Sequence, residues 1–498
     1  MRATPALAAA LLASAASFLL HSAPARAGGE HDGPPSAAWR LSPGAMPIGK
    51  TKLSGVRLDE HRVMWLAGNA DSPADQNRCF IYDLRTGNFR ETAPVPADKH
   101  LDAQAAIGVL DDGSVVVTGG NFAEGDDNSR LSYRYDPDAD AWARTGDLPE
   151  VQSWAYVPSV LLRDGRLLLA AGSGADFQTS GGTGSVNAFV FDPHKRTTVA
   201  AVDPKTGKVA TTPVRGQWDY TRRLKDNSIS TLTSPHVFGN VVLLKDGRVL
   251  VAGGHKRWPD LAVSDQAVDT DFFAPSTGEW TRGAPFPAVA GEDDRIANSH
   301  GGRTNGFCMA VLDNGKVVIA GGNTHIDGAD YFQTALGRQS ILVMTPARNP
   351  MASTYHLSAN PIPSSKDAGG LNGDGGRNQL PCYVLSGNRV LITGGQTIMG
   401  EDLYDSYFYE QGTDKITRGP DRVHGEPEWL GQDWAAPAGY KPGYQCAKLS
   451  TLAVGMRNSQ LVLGDDTLVL GAGYDGLSAD FVGVRQVEEL RGESCGGR

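Results

Sequence analysis

Residues 110–121 read LDDGSVVVTGGN and residues 133–142 read YRYDPDADAW. The first stretch has a leucine, a turn, a β-branched run and a Gly pair. The second ends one segment on Tyr-Asp-Pro and opens the next on Trp. The first pattern recurs along the chain. The second glycine of the pair stands at Gly68, Gly120, Gly172, Gly254, Gly322, Gly395 and Gly473. A leucine precedes each by ten positions (Leu58, Leu110, Leu162, Leu244, Leu312, Leu385 and Leu463), and a Val or Leu by five (Val63, Val115, Leu167, Val249, Val317, Val390 and Leu468). Between them lie Asp112-Gly113, Asp164-Gly165, Asp246-Gly247, Asn314-Gly315 and Gly387-Asn388. Such dipeptides supply positive φ, so two-residue hairpins are expected there. Each unit thus begins strand, tight turn, strand, Gly pair.

A third strand ends at Tyr82-Asp83, Tyr135-Asp136-Pro137, Phe191-Asp192-Pro193 and Phe273-Ala274-Pro275. A large side chain follows that aromatic by seven positions, at Phe89, Trp142 and Trp280, and at Ile416 after Tyr409. It opens a fourth strand. The pattern resembles the kelch repeat, a four-stranded blade of a β-propeller. The resemblance implies an all-β, seven-bladed kelch-type propeller filling residues 28–498. Residues 37–47 look like a stray fourth strand. They are expected to close the ring in the last blade, with Trp39 on its outer strand and 481–489 as that blade's third strand.

The 61 glycines in 498 residues exceed the usual ~7 % and reflect these turns. Lys plus Arg total 46 against 56 Asp plus Glu, a net charge of -10, which argues against nucleic-acid partners. Residues 1–27 read as a signal peptide: Arg2, an apolar run from Pro5 to Leu20, and Ala25-Arg26-Ala27 before Gly28. Export without a stable membrane anchor is expected, with periplasm and extracellular medium both open. Five cysteines (Cys79, Cys308, Cys382, Cys446 and Cys495) leave the disulfide pairing open.

The longest connections are expected at 197–235, 288–303, 355–379 and 421–457, on the face opposite the short turns. Insertions on one face of a repeat protein build binding surfaces. Three related entries, Gly302-Arg303-Thr304-Asn305, Gly376-Arg377-Asn378 and Met456-Arg457-Asn458, lead toward the axis there. Arg303, Asn305, Arg377, Asn378, Arg457 and Asn458 read either as a carboxylate- and sugar-binding funnel or as ties between blades. Trp154 and the residues after the Gly pairs, His255, Asn323 and Gln396 among them, would rim it. The expected ligand is a carbohydrate, a carboxylated small molecule or a peptide, bound by a monomer.

Two enzyme readings stand beside this. The units resemble the central domain of galactose oxidase and related copper-radical oxidases. That resemblance implies two tyrosinate-type and two histidine copper ligands and a Tyr cross-linked to Cys. Tyr355-His356, the one adjacent Tyr-His pair, falls in an expected insertion, and no C-terminal sandwich follows, so neither metal nor cofactor is expected. The chain also resembles exported kelch proteins that isomerise sialic acid, which need a general acid or base; His300, Glu292 and Asp293 are the candidates. A protein-interaction scaffold is the remaining alternative.

Overall fold

The computed structural model describes most of residues 38–419, and beyond them the strands Leu468–Gly471 and Val487–Arg491. Residues 1–37, 492–498 and several connections lie outside the description, the longer ones being 97–104, 120–129, 151–158, 173–181, 259–267, 294–300, 325–335, 364–375, 396–404, 420–467 and 472–486. The expected signal peptide therefore falls outside it.

Six four-stranded antiparallel sheets follow one another along the chain, each with its strands a to d in sequence order. Blade 1 is Ser54–Arg57, Arg62–Leu66, Phe80–Asp83 and Asn88–Glu91. Blade 2 is Ala105–Val109, Val115–Gly119, Tyr133–Asp136 and Ala141–Arg144. Blade 3 is Ser159–Leu161, Leu167–Leu169, Phe189–Val202 and Val209–Tyr220. Blade 4 is Asn240–Leu243, Val249–Ala252, Thr270–Ala274 and Glu279–Arg282. Blade 5 is Cys308–Val311, Val317–Ala320, Ile341–Thr345 and Thr354–Leu357. Blade 6 is Cys382–Leu385, Arg389–Thr393, Ser406–Glu410 and Lys415–Arg418. Strands a of successive blades adjoin, so they line the propeller axis.

The seven blades expected from the repeat count are therefore corrected to six among the described residues. The seventh unit contributes Leu468–Gly471 to a three-stranded sheet, paired with Val487–Arg491, which pairs in turn with Ala38–Leu41. Its third strand is described over Val487–Arg491, the rest of the expected 481–489 lies outside the described residues, and no strand a precedes it among them. In the blades the a–b loop has three residues, not the expected two. Leu110 N donates to Ser114 O while Gly113 N returns to Leu110 O, and the same pair of bonds recurs at Leu162, Leu244 and Leu312. The third loop residue then takes positive φ: Gly113, Gly165, Gly247, Gly315 and Asn388. Blade 1 makes the same three-residue loop, Leu58 N donating to Arg62 O, without a glycine in it.

Each blade is covered on both faces, so strand b is apolar throughout instead of alternating. Val115, Val117, Val249, Val251, Val317 and Val318 are fully buried. Across strands c and d the expected aromatic pairs form. Tyr82 meets Phe89 at 4.9 Å between ring centroids, Tyr135 meets Trp142 at 5.0 Å and Phe273 meets Trp280 at 5.0 Å. Blade 3 uses Trp218, 5.2 Å from Phe191. An extended c–d hairpin moves Trp218 far down the chain but leaves its register opposite Phe191. Residues 197–220, read from the sequence as part of one long connection, are thus largely strand. Blade 5 opposes Met344 with Tyr355, and blade 6 opposes Tyr409 with Ile416.

The strand-d aromatic also reaches back to the preceding blade. Trp142 Nε1 donates to Ala93 O (2.8 Å), Trp218 Nε1 to Ser132 Oγ (3.0 Å), Trp280 Nε1 to Thr221 Oγ1 (3.1 Å) and the Tyr355 hydroxyl to Ala284 O (2.8 Å). At the axis, a Cys308–Cys382 disulfide joins strands a of blades 5 and 6 across 74 residues of chain. Cys79 is buried and is not part of a disulfide. A cross-link closing a loop of this length restricts the unfolded chain by about 4 kcal/mol in the loop-entropy model. Converting both Cys308 and Cys382 to alanine is therefore expected to lower unfolding free energy by about 2–4 kcal/mol. Urea unfolding should shift on adding reductant to the parent and stay fixed for the variant.

Candidate functional site

The two described entry arginines are fully buried, and the repeat defines their surroundings. Arg303 lies between blades 4 and 5. Its carbonyl accepts from Gly254 N (2.8 Å), in the blade 4 Gly pair, while its guanidinium donates to Gly321 O in the blade 5 pair and to Ser340 Oγ before strand c. Arg377 repeats this one blade on. Its carbonyl accepts from Gly322 N (2.8 Å), and its guanidinium donates to Gly394 O (3.3 Å) and, in a two-pronged contact, to Asp405 (2.6 and 2.5 Å). The guanidinium also lies 5.1 Å from the Tyr407 ring centroid. His236 holds the corresponding place before blade 4, with Nδ1 2.8 Å from Gly253 O and Nε2 3.1 Å from Asp271 Oδ2. The carbonyls of Arg303 and Arg377 thus tie to the preceding blade while their side chains bind within the blade they lead into, and neither is a surface group. Gly-pair carbonyls accept because a glycine lets the partner backbone approach closely.

Burial raises the Asp405 carboxyl, but the Arg377 guanidinium and the Tyr407 hydroxyl outweigh it and hold Asp405 below the usual carboxylate range. Burial, then the Asp405 charge, push Tyr407 up to about 12. At Arg303, burial and the adjacent Arg338 cation weaken the hold on its proton, giving a value of about 9.

Arg338 is the residue missed from the sequence. It is 1 % exposed and donates to Gly302 O (2.9 Å), to Glu292 (3.2 Å) and to both oxygens of Asp293 (2.6 and 3.2 Å). Glu292 further accepts from Gln339 N, Ser340 N and Ser340 Oγ (2.8, 2.7 and 2.6 Å). Asp293 accepts from Val289 N and Gly301 N (2.6 and 3.1 Å). Burial raises Glu292, but the Arg303 charge, the Ser340 hydroxyl and the Arg338 charge bring it below its ordinary value. Such a carboxylate is ionised at neutral pH and is poorly suited to donate a proton. The cluster is a neutralised structural network in which Glu292 keeps a partly exposed edge, at 22 % of its side chain.

His255 and Asn323 do not rim an opening. Both are fully buried and start short pairings after the Gly pair, His255 with Val237 and Asn323 with Gly337. The His255 ring meets Phe238 edge to face at 5.7 Å. Asn305, Asn378, Arg457, Asn458, Trp154, Gln396 and His300 lie outside the described residues.

The concave space lies along the axis. A channel of about 530 Å³ runs between strands a of all six blades, from Val56 in blade 1 to Tyr383 in blade 6. Its cations are Arg57, Arg163 and Lys245. They stand where strand a ends or in the a–b turn, so they mark the short-turn mouth, opposite the face singled out from the sequence. Turn-to-turn contacts brace that mouth. Arg163 donates to Lys245 O, Lys245 Nζ pairs with Asp313 (2.9 Å), and Asp313 N donates to Asn388 Oδ1 (2.6 Å).

No family model matches the chain. Over 122 residues it is 24 % identical to Kelch-like protein 36 of Bos taurus, covering 23 % of this chain and 19 % of that protein, so it spans about a fifth of that relative's length. Among solved structures it is similar to a fungal alcohol oxidase of the AA5 family in complex with copper, with TM-score 0.53, 12 % identity and coverage of 90 % of this chain and 76 % of that one. It also matches YjhT at TM-score 0.45 and 14 % identity, covering 75 % of this chain and 99 % of that one. The kelch-like relative, the alcohol oxidase and the blade structure support a kelch-type β-propeller fold resembling the galactose oxidase domain. The described residues do not fit that oxidase's copper. Tyr355 and His356 lie on the outermost strand of blade 5, not in an insertion. The Tyr355 hydroxyl is bound to Ala284 O, and His356 is exposed beside Asp414. No group of three or more His, Cys, Asp or Glu is gathered as a metal site among the described residues.

The depressed Asp405 carboxyl contributes stability that is present above its unfolded value and lost as pH falls through its folded one. Arg377→Gln leaves that carboxylate buried and unpaired. A loss of about 3–5 kcal/mol is expected at neutral pH, shrinking as Asp405 protonates in acid. Urea unfolding from pH 3 to 7 measures it, and a deficit that does not change with pH contradicts the assignment.

Proposed function

We propose that this propeller is an exported binding protein whose axial channel takes an anionic small molecule, with a carboxylated sugar as the leading class. The observation that carries the reading is the channel itself. Its volume of about 530 Å³ falls in the range of small-molecule sites, ~300–1,000 Å³. Three cations stand at one mouth of it in a chain of net charge -10. Cations gathered at a concave mouth raise the local concentration of anions. Guanidinium forks suit carboxylates, and the apolar strand-a residues offer a wall for the faces of a sugar ring.

The binding reading is favoured over turnover. Glu292 and Asp293 are engaged by Arg338 and by main-chain donors, so neither is placed to serve the channel as an acid or base. Export forms part of the proposal, and cleavage after Ala27 would leave Gly28 as the first residue of the mature chain.

Calorimetric titration with glucuronic acid and N-acetylneuraminic acid, against their methyl esters, tests the reading. The acids are expected to bind and the esters to bind at least tenfold more weakly. Arg163→Ala with Lys245→Ala should weaken the acids by a similar factor. Val160→Trp, which fills the channel between blades, should abolish binding while leaving the far-ultraviolet circular dichroism unchanged. Equal binding of acid and ester, or unchanged binding by Val160→Trp, would defeat the proposal.

A further inference from the structure

Blade 3 departs from the others in its c–d hairpin. Strand c runs from Phe189 to Val202 and strand d from Val209 to Tyr220, far beyond the three residues of strand b. Strand b pairs only with Phe189 to Phe191. From Arg196↔Arg215 to Val202↔Val209 the two strands have only each other among the described residues. The hairpin is anchored at its base, where Gly146 N donates to Gly216 O (2.9 Å) and Val199 is buried. Beyond that, residues 208–213 are exposed, and Val209 is 65 % exposed.

A two-stranded ribbon standing in water is marginal by itself, and an open strand edge invites a further strand. Native proteins blunt such edges with proline or inward charge. The edge along residues 196–202 has neither, whereas the opposite strand carries Pro213. The surrounding charge is one-sided. Between His194 and Gln217 stand Lys195, Arg196, Lys205, Lys208 and Arg215 against Asp203 alone, a net +4 in a chain of net charge -10. Arg215 is drawn back onto Pro193 O and His194, and Lys195 lies 3.8 Å from Asp219. Arg196 and Lys208 are exposed and form no ion pair among the described residues.

We infer that the ribbon is a docking arm on which an acidic, extended segment of another protein adds as a third β-strand along residues 196–202. Main-chain hydrogen bonds would supply affinity, and the cations at the ribbon's base and tip would select acidic side chains. A second copy of this chain is the poorer occupant, because pairing two such ribbons sets +4 against +4. The arm leaves on the short-turn side of the ring and is independent of what the axial channel binds.

The probe is a capped eight-residue peptide of alternating Glu and Val carrying a fluorophore, followed by anisotropy at low salt. It is expected to bind the full chain and to weaken as salt rises. It should bind at least tenfold more weakly when every second amide is N-methylated, or when the exposed pair is reversed by Arg196→Glu with Lys208→Glu. Replacing residues 197–214 by Asn-Gly should abolish binding, and amide exchange in the complex should slow at 196–202. The two variants fail independently, since the charge reversal changes only exposed side chains. The inference is overturned if the peptide does not bind, if the N-methylated peptide binds as well as its parent, or if the shortened chain still binds. It is equally overturned if the free protein is a dimer that shortening converts to monomer, which would make the second copy the occupant.

Discussion

The ring rests on a hydrogen bond that each of four successive blades sends to the blade before it. Stacked sheets gain most of their burial from apolar contact, and that attraction is non-directional. It would let one blade slide or rotate on the next. An indole or phenol on the outermost strand removes this freedom, because its buried polar edge needs one particular acceptor. Trp142, Trp218, Trp280 and Tyr355 each find theirs at the outer rim of the preceding blade. The same rings stack on or lie opposite a strand-c residue of their own blade, so one side chain sets the register within a sheet and the alignment between two.

That dual role explains which parts of the architecture could be read in advance. The Leu, Val and Gly-pair offsets track strands a and b, whose connecting turn has constant length, so spacing in sequence equals spacing in space. The strand-c aromatic and the strand-d Trp were legible where the c–d turn stays short. In blade 3 they were not, because the hairpin separates Phe191 from Trp218 along the chain while leaving them opposed. The repeat also overcounted. A seventh Gly pair is present, but a Gly pair marks the end of strand b and says nothing about whether strand a forms before it. Among the described residues that unit contributes to a three-stranded sheet and not to a four-stranded blade.

The entry arginines show a different limit. An Arg-Asn motif near the axis has the right chemistry to grip a carboxylate, and Arg377 does grip one, that of Asp405. What the sequence could not disclose is that the carboxylate belongs to the next blade. The acceptor sits before strand c, across a b–c connection of variable length, so no fixed offset links it to the arginine. Arg338 stayed hidden for the same reason. It lies in such a connection, and its partners Glu292 and Asp293 come from the crossover before blade 5. The residues that face the channel instead include the ends of strand a and the a–b turns, positions that had been read only as hairpin punctuation.

The outer-rim donors also have a sense of direction. Every one of them points from a later blade to an earlier one. A polypeptide emerging from the ribosome therefore always presents the acceptor before the donor that will seek it. Blade 1 can stand as a template for blade 2, and blade 2 for blade 3, with no partner awaited from unsynthesised chain. The polarity of the hydrogen bonds matches the polarity of translation, so the ring can be laid down blade by blade before its ends are joined.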